Sequence, residues 1–288
     1  MIVSRDFCGL EAKIVTNIVF GASGMVGSYI AERLSNAGES VVNVSRRRRI
    51  GWLQADLADH RTLVLPPANT IFCAANPRTF AKAIPQILDA RPRRVVVFSS
   101  SSVSTKLDSK DEGERHEIEE LIVAENQIMA ACGSAGVEWT ILRPTLIYKE
   151  GRDRNITQIA EIIRKLRFMP LYGSASGLRQ PVHAEDLALG AIAASHSSAA
   201  ANRTYFTSGP TLTYREMVGR IFDALSMPRR MVSLPPVLWQ SAFAVARPFY
   251  PGITPAMGER MLKNMAFDTS PAAGDFGWSP RAFLPCFK

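Results

Sequence analysis

IVTNIVFGASGMVGSYIAERL, residues 14–34, joins an apolar, β-branched run to a glycine-rich turn and then to a helical pattern. The helical part places three apolar residues on one face: Ile30, Ala31 and Leu34. In the turn, Gly21 lets the chain bend tightly, Gly24 lets the backbone approach a pyrophosphate, and Gly27 lets the helix pack close to the sheet. The stretch therefore predicts a strand, a turn and a helix whose N-terminus binds phosphate groups.

A glycine triplet alone is also compatible with a flexible loop, but the flanking strand and helix favour a bound nucleotide. The N–H groups of a helix N-terminus have no partner within the helix and attract anions. We expect the turn and the first helical residues to contact the nucleotide: Gly21, Ser23, Gly24, Met25, Val26 and Gly27.

A basic segment follows the next predicted strand. Residues 40–44 (SVVNV) predict a short buried strand, which leads into four consecutive arginines at 46–49. An acidic residue at this strand end would bind the ribose 2′-hydroxyl of NAD, whereas arginine pairs with the 2′-phosphate of NADP. The sequence has no acid here, so it predicts NADP(H), with Arg46 and Arg47 as the contacts. The alternative is a solvated basic turn.

The composition is that of a globular protein. Of 288 residues, 47% are hydrophobic and 21% are charged, and the length suits one large α/β unit or two lobes. No run of 18 apolar residues suggests a membrane span, and the first residues lack the apolar core of a signal peptide. The four cysteines are far apart, and residues 116–120 (HEIEE) lack the second histidine of a zinc motif. We expect a cytoplasmic protein without a metal site.

The net charge is +8 and the pI is near 9.6, which fits nucleic acid, an anionic membrane surface or a phosphorylated small ligand. The arginines cluster at residues 46–49, 91–94 and 229–230, without the interleaved aromatic residues of a single-strand binder. We therefore favour a phosphorylated ligand and expect no nucleic acid partner.

Further strands are predicted at the spacing of a parallel α/β sheet. They span residues 52–57, 69–75, 94–99 and 137–143, with a helical stretch from 77 to about 90 and a long helix over 114–131. Residues 99–102 place four serines at the carboxyl end of a strand, where open α/β sheets bind ligands. The pattern predicts an α/β fold with a Rossmann-type, doubly wound parallel sheet.

The sequence pattern changes after Tyr148. The predicted elements are a basic loop at 149–155 (KEGRDRN), a helix at 156–167, a loop at 171–177, a strand and helix over 179–196, and a helix at 211–226 with a capping box of Thr213 and Glu216. Residues 235–247 are apolar but too short to cross a bilayer, so we expect a packed helix, with an interfacial or partner-binding face left open. We divide the chain into a nucleotide-binding core, residues 1–150 completed by about 179–207, and a smaller α/β substrate-binding lobe, residues 151–178 and 208–288.

Several motifs together resemble the extended and atypical short-chain dehydrogenases/reductases, in the NAD(P)-dependent epimerase/dehydratase branch. The motifs extend over nearly the whole chain: Gly21-x-x-Gly24-x-x-Gly27, Asp56-Leu57, the serines after Phe98, Ile141-Leu142-Arg143-Pro144, Pro181-Val182-His183-Ala184-Glu185-Asp186 and Phe276-Gly277-Trp278. The resemblance implies further cofactor contacts at the strand ends: Asp56, Leu57, Ala74, Ala75, Ser99 and Pro144. The combination is specific for the superfamily and not for one reaction.

Members of this family carry a Tyr-x-x-x-Lys pair at the start of the long helix and a serine in the preceding loop. The lysine lowers the pKa of the phenol, which exchanges a proton with the substrate oxygen as hydride moves. Here Glu117 and Leu121 occupy the two positions, so the pair is absent. Ser101 aligns with the family serine, and we expect Thr105 and Lys106 to supply a hydroxyl and a cation near the carbonyl oxygen.

Two acids of the long helix, Glu117 and Glu125, are further candidates for proton transfer. Acidic residues on an amphipathic helix are typical of a solvent-facing surface, so we expect both to be exposed. The alternative to catalysis is a protein that binds NADP(H) without turnover.

The second lobe resembles that of nucleotide-sugar epimerases and reductases. In these proteins an arginine before the Val-His segment binds the diphosphate with its planar fork, and the matching residue is Arg179. We expect Arg154, Asn155 and His183 to contact the substrate as well.

The stretches at residues 141–155 and 177–188 also resemble bacterial proteins of O-antigen and lipopolysaccharide synthesis. This resemblance implies NADPH-dependent reduction of the 4-keto group of a UDP-linked 6-deoxy hexose. The alternatives are a nucleotide-sugar epimerase and a non-catalytic NADP(H)-binding sensor or assembly protein. A homodimer and a peripheral membrane contact stay open.

Overall fold

A seven-stranded parallel sheet forms the centre of the protein. The computed structural model describes residues 16–105, 111–235, 237–239 and 256–287. The sheet contains β1 (Thr16–Phe20), β2 (Ser40–Ser45), β3 (Leu53–Gln54), β4 (Thr70–Cys73), β5 (Arg94–Phe98), β6 (Glu138–Pro144) and β11 (Arg203–Thr207). Their order is β11-β6-β5-β4-β1-β2-β3, and each neighbouring pair is parallel. The order reverses between β1 and β4, which is where the ligand crevice of such a sheet opens.

Some of the helices cover the two faces of the sheet, and others pack together away from it. They are α1 (Met25–Asn36), α2 (Pro77–Lys82), α3 (Ile84–Leu88), α4 (Glu112–Ser134), α5 (Ile156–Leu166), α6 (Ala184–His196), α7 (Tyr214–Ala224), α8 (Ala256–Arg260) and α9 (Ser270–Phe276). Short 3-10 helices span Leu57–Thr62, Ser101–Ser104 and Ser198–Ala200. The other strands pair in twos: β7 (Leu146–Tyr148) with β10 (Pro181–His183), β9 (Leu178–Arg179) with β12 (Leu212–Thr213), and β8 (Met169–Tyr172) with β13 (Met231–Leu234). The predicted α/β fold with a doubly wound parallel sheet is confirmed.

Successive residues of β1 point to opposite faces of the sheet. Ile18 and Phe20 join the core beneath α2 and α4, whereas Val19 joins the core beneath α1 and α6. All three are at most 1% exposed. A parallel strand buried on both faces explains why the sequence shows an apolar run here instead of alternation. The predicted apolar face of α1 is also buried: Ile30, Ala31 and Leu34.

A third apolar core lies in the second lobe, where α5 and α7 pack together. The predicted capping box is present at the start of α7: the N–H of Glu216 donates to Thr213 Oγ1 at 3.1 Å, and the N–H of Thr213 donates to Glu216 Oε2 at 2.7 Å. The helix begins at Tyr214, later than predicted, because Leu212 and Thr213 pair with β9 as strand β12.

Three predicted elements are shorter or broken. The strand predicted over 52–57 contains only β3, because the Asp56 side chain caps the 3-10 helix that follows. The helix predicted from 77 to about 90 is divided into α2 and α3, because Pro85, at the start of α3, has no N–H to continue the ladder of α2. In β2 only Val44 is buried, since its outer neighbour β3 is too short to cover it.

The loop predicted over 171–177 begins with strand. Leu171 belongs to β8, where it pairs with Ser233 of β13, and the irregular chain starts after Tyr172. Serine and glycine in this stretch indicated a loop, but the apolar residues before them extend a strand pair of the second lobe.

The apolar segment 235–247 lies mostly outside the described residues. Of its described part, Val237 and Leu238 are exposed, whereas Trp239 is buried and packs edge-on against Tyr172 with ring centroids 5.6 Å apart. Over the described ranges, none of the helices has the length and apolar character needed to cross a bilayer. The packed helix and its open face stay a prediction, as does the division into two lobes at residue 150.

Candidate functional site

The glycine turn joins β1 to α1 as predicted. Gly21 has a φ of +75°, and a Cβ atom there would lie 2.5 Å from the carbonyl oxygen of Ala74, just after β4. At Gly27 a Cβ atom would overlap the carbonyl oxygen of Gly21, so only glycine allows α1 to approach this closely. The N-cap residue is Gly24, which has no side chain, and the first turn of α1 contains no acidic residue. These backbone N–H groups therefore suit an anion.

The remaining predicted residues of the turn differ in exposure. Ser23 is exposed, Met25 is half-buried, and Val26 is buried in the core beneath α1. The side chain of Val26 is therefore turned away from a ligand, and a contact from this residue would use its backbone N–H.

The basic segment lies directly after β2, the strand next to β1. Arg46 and Arg47 are both exposed, while their backbone is held by the Ser45 hydroxyl, which accepts from the N–H of Arg47, and by Gln54, which donates to the Arg46 carbonyl. Arg49 differs, because its guanidinium stacks on the ring of Trp52 at 4.9 Å. The first two arginines thus keep exposed guanidinium groups at the strand end where a 2′-phosphate would be expected.

The strand-end residues implied by the family resemblance lie at the carboxyl edge. Ala74 directly abuts Gly21, and Ala75 follows it. Pro144 ends β6 and pairs in register with Thr207 of β11. Their contacts with a cofactor stay predictions.

Asp56 and Leu57 contribute to the local fold after β3. Asp56 Oδ1 accepts from the N–H of Ala58 at 3.0 Å and caps the 3-10 helix, and Leu57 is buried in the core. The cap uses one carboxylate oxygen of the exposed Asp56 and leaves the other available, so contact of Asp56 and Leu57 with a cofactor stays a prediction.

The serine-rich loop after β5 presents hydroxyl groups at the same edge. Ser101 is 6% exposed and starts a 3-10 helix that the Ser100 side chain caps. Among the described residues, Ser99 Oγ and Thr105 Oγ1 are buried without a hydrogen-bond partner. Such groups are costly to leave unpaired, which favours a ligand or water at this point.

A lysine from the C-terminal segment reaches this loop. Lys263 Nζ donates to the carbonyl oxygen of Thr105 at 3.3 Å. Lys106, the predicted cation, lies outside the described residues. Nearby, Arg260 Nη2 pairs with Glu114 Oε1 at 2.5 Å, so the turn after α8 is attached to the start of α4 as well.

The start of α4 shows no catalytic pair. Glu117 is exposed and Leu121 is half-buried, at the positions where the resembling family has its tyrosine and lysine. Glu125 was expected to be exposed, and this is wrong: it is 1% exposed and pairs with Arg143 of β6. The helical spacing places Glu125 on the buried face with Ile118 and Ile128, but the expectation that acids face solvent hid this, because the partner Arg143 lies on another element.

The basic loop at 149–155 lies over the glycine turn. Arg152 Nη2 donates to the carbonyl oxygen of Ser23 at 3.2 Å, and Lys149 Nζ lies 3.9 Å from the ring centroid of Tyr29 on α1. Arg154 and Asn155, the predicted substrate contacts of this loop, are exposed. Their role stays a prediction.

Arg179 is buried and already holds other parts of the chain. Its Nη1 donates to the carbonyl oxygens of Leu178 at 2.7 Å and Lys263 at 2.8 Å, and its Nη2 donates to that of Arg260. Burial lowers the pKa of this guanidinium. The geometry gives Arg179 an anchoring function for the C-terminal turn, and diphosphate binding by its remaining N–H groups stays a prediction.

His183 is 8% exposed and lies between two loops. Its Nδ1 accepts from the N–H of Glu185 at 3.3 Å, capping α6, and its Nε2 is 3.6 Å from Glu150 Oε2. Burial acts to raise the pKa of Glu150, but hydrogen bonds from His183 and from the N–H of Cys286 lower it below its ordinary value. Contact of His183 with a substrate stays a prediction.

With this geometry in place, the first part of the chain can be compared with known proteins. Residues 17–78 match the family model described as the NAD dependent epimerase/dehydratase family. This part of the chain, 62 of its 288 residues, is similar to that family. The matched region includes the glycine turn, Arg46, Arg47 and the end of β4, which are the elements that converge on the candidate cofactor site.

Solved structures resemble the chain over nearly its full length. UDP-N-acetylglucosamine 4-epimerase from Bacillus cereus has a TM-score of 0.71 at 14% identity and covers 94% of this chain and 92% of its own. dTDP-glucose 4,6-dehydratase from Bacillus anthracis, solved in complex with NAD, has a TM-score of 0.67 at 12% identity, with 93% and 92% covered. At these identities the likeness concerns the fold.

A relative found by sequence is a subunit of an NADH dehydrogenase rather than an epimerase or dehydratase. NADH dehydrogenase [ubiquinone] 1 alpha subcomplex subunit 9 from Arabidopsis thaliana mitochondria is 25% identical over a match that covers 75% of this chain. The chain spans about 60% of the length of that relative.

Two cations of the site were not identified from the sequence. The basic loop itself was noted, but Arg152 could not be singled out, because its partner Ser23 is 129 residues away. Lys263 has no recognisable motif around it in the sequence, and its partner Thr105 is 158 residues away.

Proposed function

We propose that this protein is an NADPH-dependent reductase of the 4-keto group of a UDP-linked 6-deoxy hexose. The observation that carries the cofactor part is the exposure of Arg46 and Arg47 at the end of β2, beside a glycine turn whose helix N-terminus lacks an acidic residue. Arginine at this strand end suits a 2′-phosphate. The nucleotide-sugar part is supported by the fold that the chain shares with UDP-N-acetylglucosamine 4-epimerase.

The residues present fit a dinucleotide. At the turn, Gly21 lies so close to Ala74 that no side chain fits between them. The buried Ser99 Oγ, which has no hydrogen-bond partner, follows β5, two strands away from β1 in the sheet. When bound, NADPH supplies a hydride to the carbonyl carbon of the substrate. The protein holds the pyrophosphate at the start of α1 and the 2′-phosphate at Arg46 and Arg47.

The serine-rich loop stabilises the developing charge on the carbonyl oxygen. Ser101 and Thr105 donate hydrogen bonds to it, and the ammonium groups of Lys106 and Lys263 supply positive charge to the same loop. The proton that the oxygen needs comes from a hydroxyl or an ammonium of this set and is replaced from water. This arrangement replaces the tyrosine and lysine that α4 lacks at Glu117 and Leu121.

A second candidate function is NADP(H) binding without turnover, as a sensor or assembly protein. The exposed Glu117 and the half-buried Leu121 at the two catalytic positions favour it. So does the match to a subunit of the mitochondrial NADH dehydrogenase from Arabidopsis thaliana. A third candidate, a nucleotide-sugar epimerase, shares the cofactor site and differs in its product.

The test is NADPH oxidation, followed by absorbance, with freshly generated UDP-4-keto-6-deoxy-N-acetylhexosamine. A fluorescence titration with NADPH on the same preparation is the control for cofactor binding. Oxidation of one NADPH for each 4-keto group reduced to a 4-hydroxyl group supports the reductase. Tight cofactor binding without oxidation, on this and related keto sugars, contradicts it and favours the non-catalytic function, whereas a change of sugar configuration without net oxidation identifies an epimerase.

A further inference from the structure

One arginine of the second lobe is bonded to the glycine turn. Arg152 Nη2 lies 3.2 Å from the carbonyl oxygen of Ser23, the residue before the N-cap of α1. The guanidinium has five N–H donors, and this bond uses one of them. An exposed cation is thereby placed at the rim of the turn to which the pyrophosphate of a dinucleotide would bind.

The loop that carries Arg152 is held in a defined conformation. Asp153 is 6% exposed, and its carboxylate accepts from the N–H of Asn155 at 2.8 Å, the N–H of Thr157 at 3.1 Å and the hydroxyl of Thr157 at 2.6 Å. The Thr157 hydroxyl in turn accepts from the N–H of Gly151 at 3.0 Å. The loop is therefore closed on itself on both sides of Arg152, and this limits the positions that its side chain can take.

The acidic and basic side chains of the loop at 149–155 contact different parts of the protein. The acids of the loop face inward: Asp153 binds the loop backbone, and Glu150 binds His183 and the N–H of Cys286. Two of its three cations contact the glycine turn or α1, with Arg152 at Ser23 and Lys149 above Tyr29. The surface presented to the glycine turn is therefore positive, although the loop as a whole contains both signs.

We propose that Arg152 binds the pyrophosphate of the dinucleotide and so closes the glycine turn from the second lobe. This inference rests on the proposed binding of NADP(H). Arginine suits the task, because its planar fork donates charge-assisted hydrogen bonds to two phosphate oxygens at once. A diphosphate is also present in a UDP-sugar, so the test has to separate the two sources.

The experiment measures dissociation constants of NADPH, NADH and UDP for Arg152→Gln, with Arg46→Ala as a comparison. NADPH and NADH share the pyrophosphate, so Arg152→Gln is expected to weaken both by the same factor, about tenfold for the loss of a charge-assisted contact. Arg46→Ala is expected to weaken NADPH alone. UDP binding is expected to be unchanged in Arg152→Gln.

Arg164→Gln is the matched control. Arg164 is an exposed arginine of α5, the helix that follows the loop, so the substitution removes the same charge. It lies eight residues from the start of α5, which is about 12 Å at a rise of about 1.5 Å per residue. The midpoint of thermal unfolding without ligand shows whether each variant is folded.

The inference is overturned if NADPH affinity is unchanged in Arg152→Gln, if only UDP affinity falls, or if the folded wild-type protein binds neither dinucleotide. Failure of the reductase is a separate result. A wild-type protein that does not reduce keto sugars, but loses dinucleotide affinity in Arg152→Gln, contradicts the proposed reaction and supports the role of Arg152.

Discussion

The carboxylate of Glu125 on α4 accepts two hydrogen bonds from the guanidinium of Arg143 on β6, one of them at 3.1 Å from Nε to Oε1. Only 2% of the Glu125 side chain is exposed, against 24% of the Arg143 side chain. The pair ties the long helix to the strand that ends at Pro144. It thereby fixes the helix whose start faces the serine-rich loop.

Replacing Glu125 by Gln is expected to destabilise the protein by about 3 kcal/mol, because it leaves the partly buried guanidinium of Arg143 without its counter-charge. The measurement is the free energy of unfolding in urea. Glu120→Gln on the same helix is the control, since its pair with Arg78 is about half exposed and should contribute at most about 1 kcal/mol. If the free energy of unfolding fell equally in the two variants, the buried Glu125–Arg143 pair would contribute no more to stability than the exposed Glu120–Arg78 pair.

Arg46 and Arg47 are expected to select NADPH over NADH. Alanine at either position removes a guanidinium that can pair with the 2′-phosphate, so NADPH should bind about tenfold more weakly while NADH is unaffected. Parallel titrations with the two cofactors give the ratio. An unchanged preference in both variants would leave the segment as a solvated basic turn.

Lys263 and Ser101 are expected to support turnover without being needed for cofactor binding. Lys263→Ala and Ser101→Ala should each lower kcat by about 10²-fold, the usual range for loss of one group that stabilises or protonates a developing oxyanion. Lys263→Arg keeps the charge and should recover part of the rate if charge matters more than proton donation. Near-normal kcat in both alanine variants would move the proton donor to another residue.

The cysteines are expected to differ in reactivity with alkylating reagents. Burial raises the pKa of both Cys73 and Cys132 to about 12, whereas Cys286 is exposed. In a Cys8→Ser variant at pH 8, Cys286 should react rapidly and the two buried thiols only after unfolding, since the thiolate is the reactive form. Mass spectrometry of the labelled peptides identifies the sites.

The same two thiols make stability depend on alkaline pH. Their pKa is about 9 in the unfolded chain and is raised by folding, so the folded state binds these protons more tightly. Their contribution is complete below about pH 9, and the free energy of unfolding should fall as the pH rises from there toward 12. A Cys73→Ala, Cys132→Ala variant should show a flatter profile over this window.

The sequence was sufficient for the parts of the fold that depend on local chemistry. The glycine turn, the apolar face of α1 and the capping box of α7 follow from residues that are neighbours in the chain. The break between α2 and α3 could have been found as well, since Pro85 lies inside the predicted helix and cannot donate a backbone hydrogen bond.

The candidate site was harder to predict from the sequence, because its contacts join segments that are distant in the chain. Burial of Glu125 depends on Arg143, and the cation at Thr105 comes from Lys263. Arg179 was singled out as a phosphate ligand, while its guanidinium holds the backbone of the turn that carries Lys263. Composition and spacing give no information on which of several arginines is engaged by carbonyl groups and which remains exposed.

The close approach of Gly21 to Ala74 also has an evolutionary consequence. Neither Gly21 nor Gly27 has space for a Cβ atom, so the glycine turn forms a cradle lined by peptide groups. Point mutations in this cradle would abolish binding of the proposed dinucleotide before they could alter the preference for NADPH over NADH. Arg46 and Arg47 lie on a separate, exposed segment where substitutions are tolerated by the fold. On the proposed role of Arg46 and Arg47, cofactor choice can change at these two codons while the cradle stays fixed.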